Sequence, residues 1–243
     1  MPELDVGCAL RPSADPFDCK TAPMGEATDS YDRVRSRMLD LARSGNSLDV
    51  VVPACPDWSV HDLIVHCMSL PVAIGAGDLP DGDPNGWIDG LIRSHEGRSI
   101  DEIEELWIGA DPTIAGMLDG GMTLLLDDLA VHEHDMRGAL VMPDHSALDI
   151  DLAVAGAVSA LEGRLTEAGL GSIEVRCAGS AWRSHDAEPT WIIETDPWEA
   201  VRALFSRRTA DELRALGGSA DIDAHIAVVA AHLPLPESSL REP

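Results

Sequence analysis

From Ser30 onward apolar side chains recur at helical spacing. Tyr31, Val34, Met38 and Leu41 form one stripe of a 3.6-residue repeat, with Gly45 placed as a C-terminal cap. The segment PDWSVHDLIVHCMSL opens a second helix. Ser59 suits its N-cap, Asp62 completes a capping box, and Trp58 and Leu63 occupy the positions of a hydrophobic staple. Val60, Leu63, Ile64, Cys67 and Leu70 make its apolar face. A Gly-, Asp- and Pro-rich loop is expected over about residues 75 to 86. Ser99 then caps a helix containing Ile103, Leu106 and Trp107, which should break near Pro112. A fourth helix is expected from about Gly121 to Leu140, with Pro143 beyond it. Four such segments can form an antiparallel bundle.

The pattern changes in the last part of the chain. A helix over about residues 149 to 168 ends at Gly169 and Gly171, and SIEVRC, AWRSH and TWIIET follow as three short strands. Trp182 and Trp191 would then be a cross-strand pair on adjacent strands. PWEAVRALF, TADELRAL and DIDAHIAVVAAHL read as helices, with Pro197 in a first turn and Thr209 and Asp221 as caps. The expected class is α+β, mostly helical. An irregular lead-in over residues 1–27 precedes a four-helix bundle over 28–145, and a small α+β domain with a short antiparallel sheet covers 146–243.

Composition narrows the partners. The 243 residues carry a formal net charge of −26, and Lys20 is the only lysine. Such a chain repels phosphate backbones and anionic membrane surfaces, so neither nucleic acid nor a membrane is an expected partner. No run of apolar residues is long enough to span a bilayer, and the N-terminus lacks the basic start and apolar run of a signal peptide. The five cysteines, Cys8, Cys19, Cys55, Cys67 and Cys177, include no C-x-x-C pair, which suits a cytoplasmic protein with reduced thiols. Cys67 and Cys177 fall at packing positions. DGDPNG at 81–86 lacks the ligand spacing of a calcium loop.

The candidate chemistry lies in DDLAVHEHD, residues 127–135. On a wheel of about 100° per residue, Leu125, Leu129, Met136 and Leu140 cluster within about 60°, and His132 lies about 20° from their edge. Asp128, one turn before His132, projects from the same side. His134 points about 160° away from His132, so the two histidines cannot share an ion on a regular helix. Asp127, Glu133 and His134 are expected on a solvated side. On the second helix His66 borders the apolar face while His61 points outward. His66, Asp128 and His132 would thus face a bundle interior. Two imidazoles and a carboxylate are the donor set of a catalytic zinc site with an open fourth position. A buried, hydrogen-bonded Asp128–His132 pair without metal satisfies the same spacing.

PACPDWSVHDLIVHC, followed by a helix bearing LAVHEHDMRGAL, resembles the actinobacterial mycothiol-dependent maleylpyruvate isomerase family, whose N-terminal part is a DinB-like four-helix bundle. In that family a Trp and a polar cap precede a helix ending in a metal-binding His, and a second helix carries acid-x-x-x-His-x-x-Asp. The matching positions are Trp58, Ser59, His66, Asp128, His132 and Asp135. The family's sterol-carrier-like C-terminal domain has a Gly-Arg-Arg-Ser-like segment, which FSRRTADEL matches at Arg207 and Arg208. Two positions depart from the pattern: Asp128 stands where the isomerase type has glutamate, and Ser206 stands where it has glycine.

The resemblance implies a divalent ion, of zinc type, held by His66, Asp128 and His132, with mycothiol as the thiol co-substrate. The reaction it implies is isomerisation of, or thiol transfer to, a small electrophile. Asp135 would orient a ligand histidine, and Arg207 or Arg208 would pair with a substrate carboxylate. The alternatives are a DinB-like metal-binding or stress-response protein without turnover, and a carrier of an apolar small molecule.

Overall fold

The computed structural model describes residues 25–44, 48–142, 150–177, 180–231 and 233–240. The lead-in through residue 24 with Cys8 and Cys19, the cap at Gly45, Pro143 and the boundary near residue 145 lie outside them.

Helix α1 (Glu26–Arg43) buries the stripe of Tyr31, Val34, Met38 and Leu41. A hairpin not anticipated from the sequence follows, β1 (Val51–Val52) against β2 (Cys55–Ser59), antiparallel. It leads directly into α2 (Val60–Gly75). The capping box there is complete: Asp62 N donates to Ser59 Oγ at 3.2 Å and Ser59 N donates to Asp62 Oδ2 at 2.9 Å.

Two further helices are not anticipated from the sequence, and the first overlaps only the end of the loop expected over about residues 75 to 86. α3 (Pro84–Ser94) starts at Asp83, whose side chain accepts from Gly86 N. α4 (Ile100–Gly109) stops at Ala110, and α5 (Asp111–Asp119) begins at once, with Pro112 in its first turn. A proline breaks a helix only from inside. In the first turn its missing N–H has no intrahelical partner to lose. α6 (Leu124–Ala139) carries the DDLAVHEHD motif.

The rest of the chain is α+β. One expected long helix is two, α7 (Ile150–Ser159) and α8 (Glu162–Glu167), and Gly169 turns the chain at φ +66°. β3 (Ser172–Cys177), β4 (Ser180–Arg183) and β5 (Pro189–Glu194) make a sheet in the order β4-β3-β5. It is mixed, not antiparallel as expected: β4 pairs antiparallel to β3, and β5 pairs parallel to it. Because β4 runs back along β3, the chain returns to the end where β3 began. The short link over 184–188 can then start a parallel strand without a helical crossover. Ser184 N donates to Ile173 O and Ser172 N to Glu188 O to hold it. Trp182 and Trp191 are therefore not neighbours across a ladder. They flank β3, opposite Val175 and Ile173.

α9 (Pro197–Leu204), α10 (Ala210–Ala215) and α11 (Ile222–Ala230) complete the chain. Of the two caps expected here, Thr209 forms a full capping box with Glu212, as Ser99 does with Glu102 in α4, whereas Asp221 holds its N-cap position without a side-chain bond.

Two cores result. The first packs α1, α2, α4, α5 and α6 through residues such as Met38, Leu63, Met68, Trp107, Leu129 and Met136. The second packs α7, α9, α10 and α11 with the sheet through Val154, Val175, Trp191, Val201 and Leu213, and it also takes Ala130 and Val131 of α6. Helix α6 thus lies between the two cores. No helix among the described residues is long and apolar enough to cross a membrane.

Candidate metal centre

The central position of α6 overturns one expectation. Asp127, Glu133 and His134 are 6%, 1% and 1% exposed, not solvated. Each meets a partner surface. Glu133 accepts from Arg37 of α1 through both oxygens (2.9 and 2.8 Å) and from Arg137 one turn on. The His134 ring stacks on Trp198 of α9, with centroids 4.2 Å apart. Asp127 faces α7, where the backbone of Gly156 is close against its carboxylate. Burial, and secondarily the charge of Asp128, pushes the Asp127 carboxyl up to about 7.

His66, Asp128 and His132 come together where α2 crosses α6. The Nε2 atoms of His66 and His132 lie 3.4 and 3.5 Å from the two oxygens of Asp128. One donor atom from each residue lies within 4.8 Å of the other two. Ligands about 2.0–2.2 Å from an ion at tetrahedral angles stand about 3.3–3.5 Å from one another, whereas a charge-assisted hydrogen bond would close to about 2.7–2.9 Å. The two His–Asp distances fit ligands around an ion better than a directly bonded Asp–His pair. The chemistry of the donors agrees, since imidazole and carboxylate suit a zinc-type divalent ion.

Exposure is uneven across the trio. The imidazoles are 5% and 7% exposed and the Asp128 side chain 30%, so the cluster opens to solvent on the carboxylate side. Trp58, carried by β2, walls the other side, its ring centroid 4.8 Å from that of His66 and 6.2 Å from that of His132. Burial alone would raise the Asp128 carboxyl, but the two imidazoles outweigh it and hold it well below the usual range.

Behind His132 stands a second layer. Its Nδ1 donates to Asp135 Oδ2 at 3.0 Å. Asp135 is completely buried and also accepts from Arg202 Nη1, from Arg207 Nη2 (2.6 Å) and from Arg207 Nε (3.2 Å). Cys55 of the hairpin joins His132 and Asp135 as another trio of donor atoms within 4.8 Å of one another. That trio does not suit a cation, because both Asp135 oxygens are committed to guanidinium groups whose charge would repel one.

The two arginines expected at a substrate carboxylate are held by carboxylates of the chain itself. Arg207 reaches the site, yet its nitrogens serve Asp135 and the Phe205 carbonyl (2.7 Å). Arg208 pairs with both oxygens of Glu199 at 2.8 and 2.6 Å. Burial pushes the Cys67 thiol above its ordinary value and keeps it protonated, consistent with a packing role. Cys55 and Arg202 escaped the sequence reading. Neither belongs to a spacing motif, and each reaches the site through a long-range contact.

Comparison with protein-family models, with curated proteins and with solved structures finds no match to this chain.

Proposed function

We propose that the protein is a metal-dependent enzyme that uses a low-molecular-weight thiol, in the manner of the mycothiol-dependent isomerase family it resembles, on a small electrophilic substrate. The observation that carries this reading is the convergence of His66, Asp128 and His132 at ligand spacing, open to solvent on one side. A zinc-type ion held there would supply Lewis acidity, favouring the thiolate form of a thiol at its free position.

The chain's own residues have separable parts. Asp128 would offset the charge of an ion, and His66 and His132, each facing one oxygen of Asp128, would hold it through their imidazoles. Trp58 packs over both rings and keeps water from that side. Asp135 fixes the His132 ring from behind. With Arg207 and Arg208 both engaged, substrate recognition falls to groups around the exposed edge of Asp128.

Metal analysis of the purified protein tests the proposal. About one divalent ion per chain is expected, lost in His66→Ala and in His132→Ala, with a new absorption band when mycothiol is added to the cobalt-substituted protein. A protein that takes up no ion refutes the site. Uptake without any response to thiols, or without thiol-dependent turnover, favours a metal-binding protein instead.

A further inference from the structure

Arg202 and Arg207 are both nearly or fully buried, at 0% and 5% exposure, and both end on one carboxylate of another helix. Both guanidinium groups reach the same fully buried carboxylate, and charge taken out of water is costly unless it is paired this closely. The backbone shows how they are brought together. After α9, Ser206 adopts φ +62°, Arg207 N donates to Arg202 O at 2.8 Å, and Ser206 N donates to Ala203 O at 3.3 Å. This is the Schellman turn, which folds the second residue past the cap back over the residue five before it. Residues 207 and 202 are that pair. The departure from glycine at 206 keeps the left-handed turn that glycine would favour, and Ser206 Oγ anchors it to Val229 O.

The consequence reaches His132. A carboxylate gripped on both oxygens cannot rotate, and its charge is neutralised by the arginines, so it leaves the shared proton on the imidazole Nδ1. In the neutral imidazole, the form a metal ligand must take, Nδ1 donating to Asp135 leaves the lone pair on Nε2, which faces Asp128 and His66. We infer that Arg202 and Arg207 are positioning residues of the metal centre, acting through Asp135 to set the tautomer and orientation of His132. The C-terminal α+β half thereby completes a site whose ligands all come from the helical half. This rests on the metal-site reading above. It also makes docking of the two halves and metal affinity thermodynamically linked, each favouring the other.

The test uses the full chain. Cobalt and zinc affinities are measured by competition with a chromophoric chelator for wild type, Arg207→Met, Arg202→Met and Arg207→Lys. Thermal unfolding of the metal-free proteins serves as the control for folding. Loss of such an outer partner is expected to weaken metal binding about 10–100-fold. Lysine, a single point charge that cannot span both oxygens, should restore only part of it. Arg183→Met breaks the ion pair with Glu174 on the sheet and should lower stability with no change in metal affinity. A second readout needs no ion. Nitrogen-15 spectra of the histidines in chelator, at alkaline pH, should show His132 as the Nδ1–H tautomer in wild type and a mixture in Arg207→Met. Folded arginine variants with wild-type metal affinity and an unchanged tautomer overturn the inference. If the wild type binds no ion, the metal reading fails, and the tautomer result still decides whether the arginines position His132.

Discussion

Gly156 of α7 approaches Asp127 of α6 so closely that a Cβ built on it would fall 2.0 Å from Asp127 Oδ1. The absence of a side chain at 156 is what lets the two helices, and with them the two cores, close around a buried carboxylate. In an open helix Gly→Ala stabilises by about 0.5–1 kcal/mol. Here the clash should win, and Gly156→Ala should cost about 1–3 kcal/mol, the range for overpacking a filled core. In an Asp127→Ala background the obstacle is gone and the same substitution should stabilise. Urea denaturation of the four members of this cycle measures the change of sign; additive effects would show that the contact is not the constraint.

Val141 ends α6 at φ +55°, a conformation that suits glycine and strains a β-branched residue. Its side chain is 70% exposed, so little packing is lost by removing it. Val141→Gly should raise stability by about 1 kcal/mol, the αL strain relieved less the entropy that glycine adds to the unfolded chain. The urea midpoint should move up at constant slope.

Glu174 supplies a pH dependence away from His66, Asp128 and His132. Burial alone would raise its carboxyl, but Arg183 and Arg176 outweigh it and hold the group below its ordinary value of 4.5. A depressed folded-state pKa means the unfolded chain binds protons more readily. The stabilisation is then present above the ordinary value and is lost as pH falls from there through the folded value. Wild type should lose stability across that acid window more steeply than Glu174→Gln, with the difference in urea midpoints vanishing at the lowest pH. Parallel profiles would count against the ion pairs.

Asp128→Asn keeps the shape of the third donor and removes its charge. Structural zinc sites are worth roughly 10–16 kcal/mol over four ligands, so one ligand contributes on the order of 3 kcal/mol, or about 100-fold in affinity. Zinc should raise the melting temperature of wild type and do so far less for the variant. An equal shift in both would exclude Asp128 from coordination.

Local order along the chain settled a good deal. The α1 stripe, the capping boxes at Ser59 and Thr209 and the strand at 172–177 are all decided by neighbours within a turn or two, and they stand where periodicity and cap chemistry place them. Asp128 and His132 share one flank of α6 for the same reason, because a four-residue spacing on a helix is a geometric identity. What faces that flank is a long-range matter. Only the packing of α2 on α6 brings His66 to the pair, and only the hairpin and the turn after α9 bring Cys55, Arg202 and Arg207 to its rear. Burial on the opposite flank is a long-range matter as well. A glutamate paired with Arg37 inside the molecule leaves the same mark in the sequence as one bathed in water, since periodicity records the direction of a side chain and not what lies there.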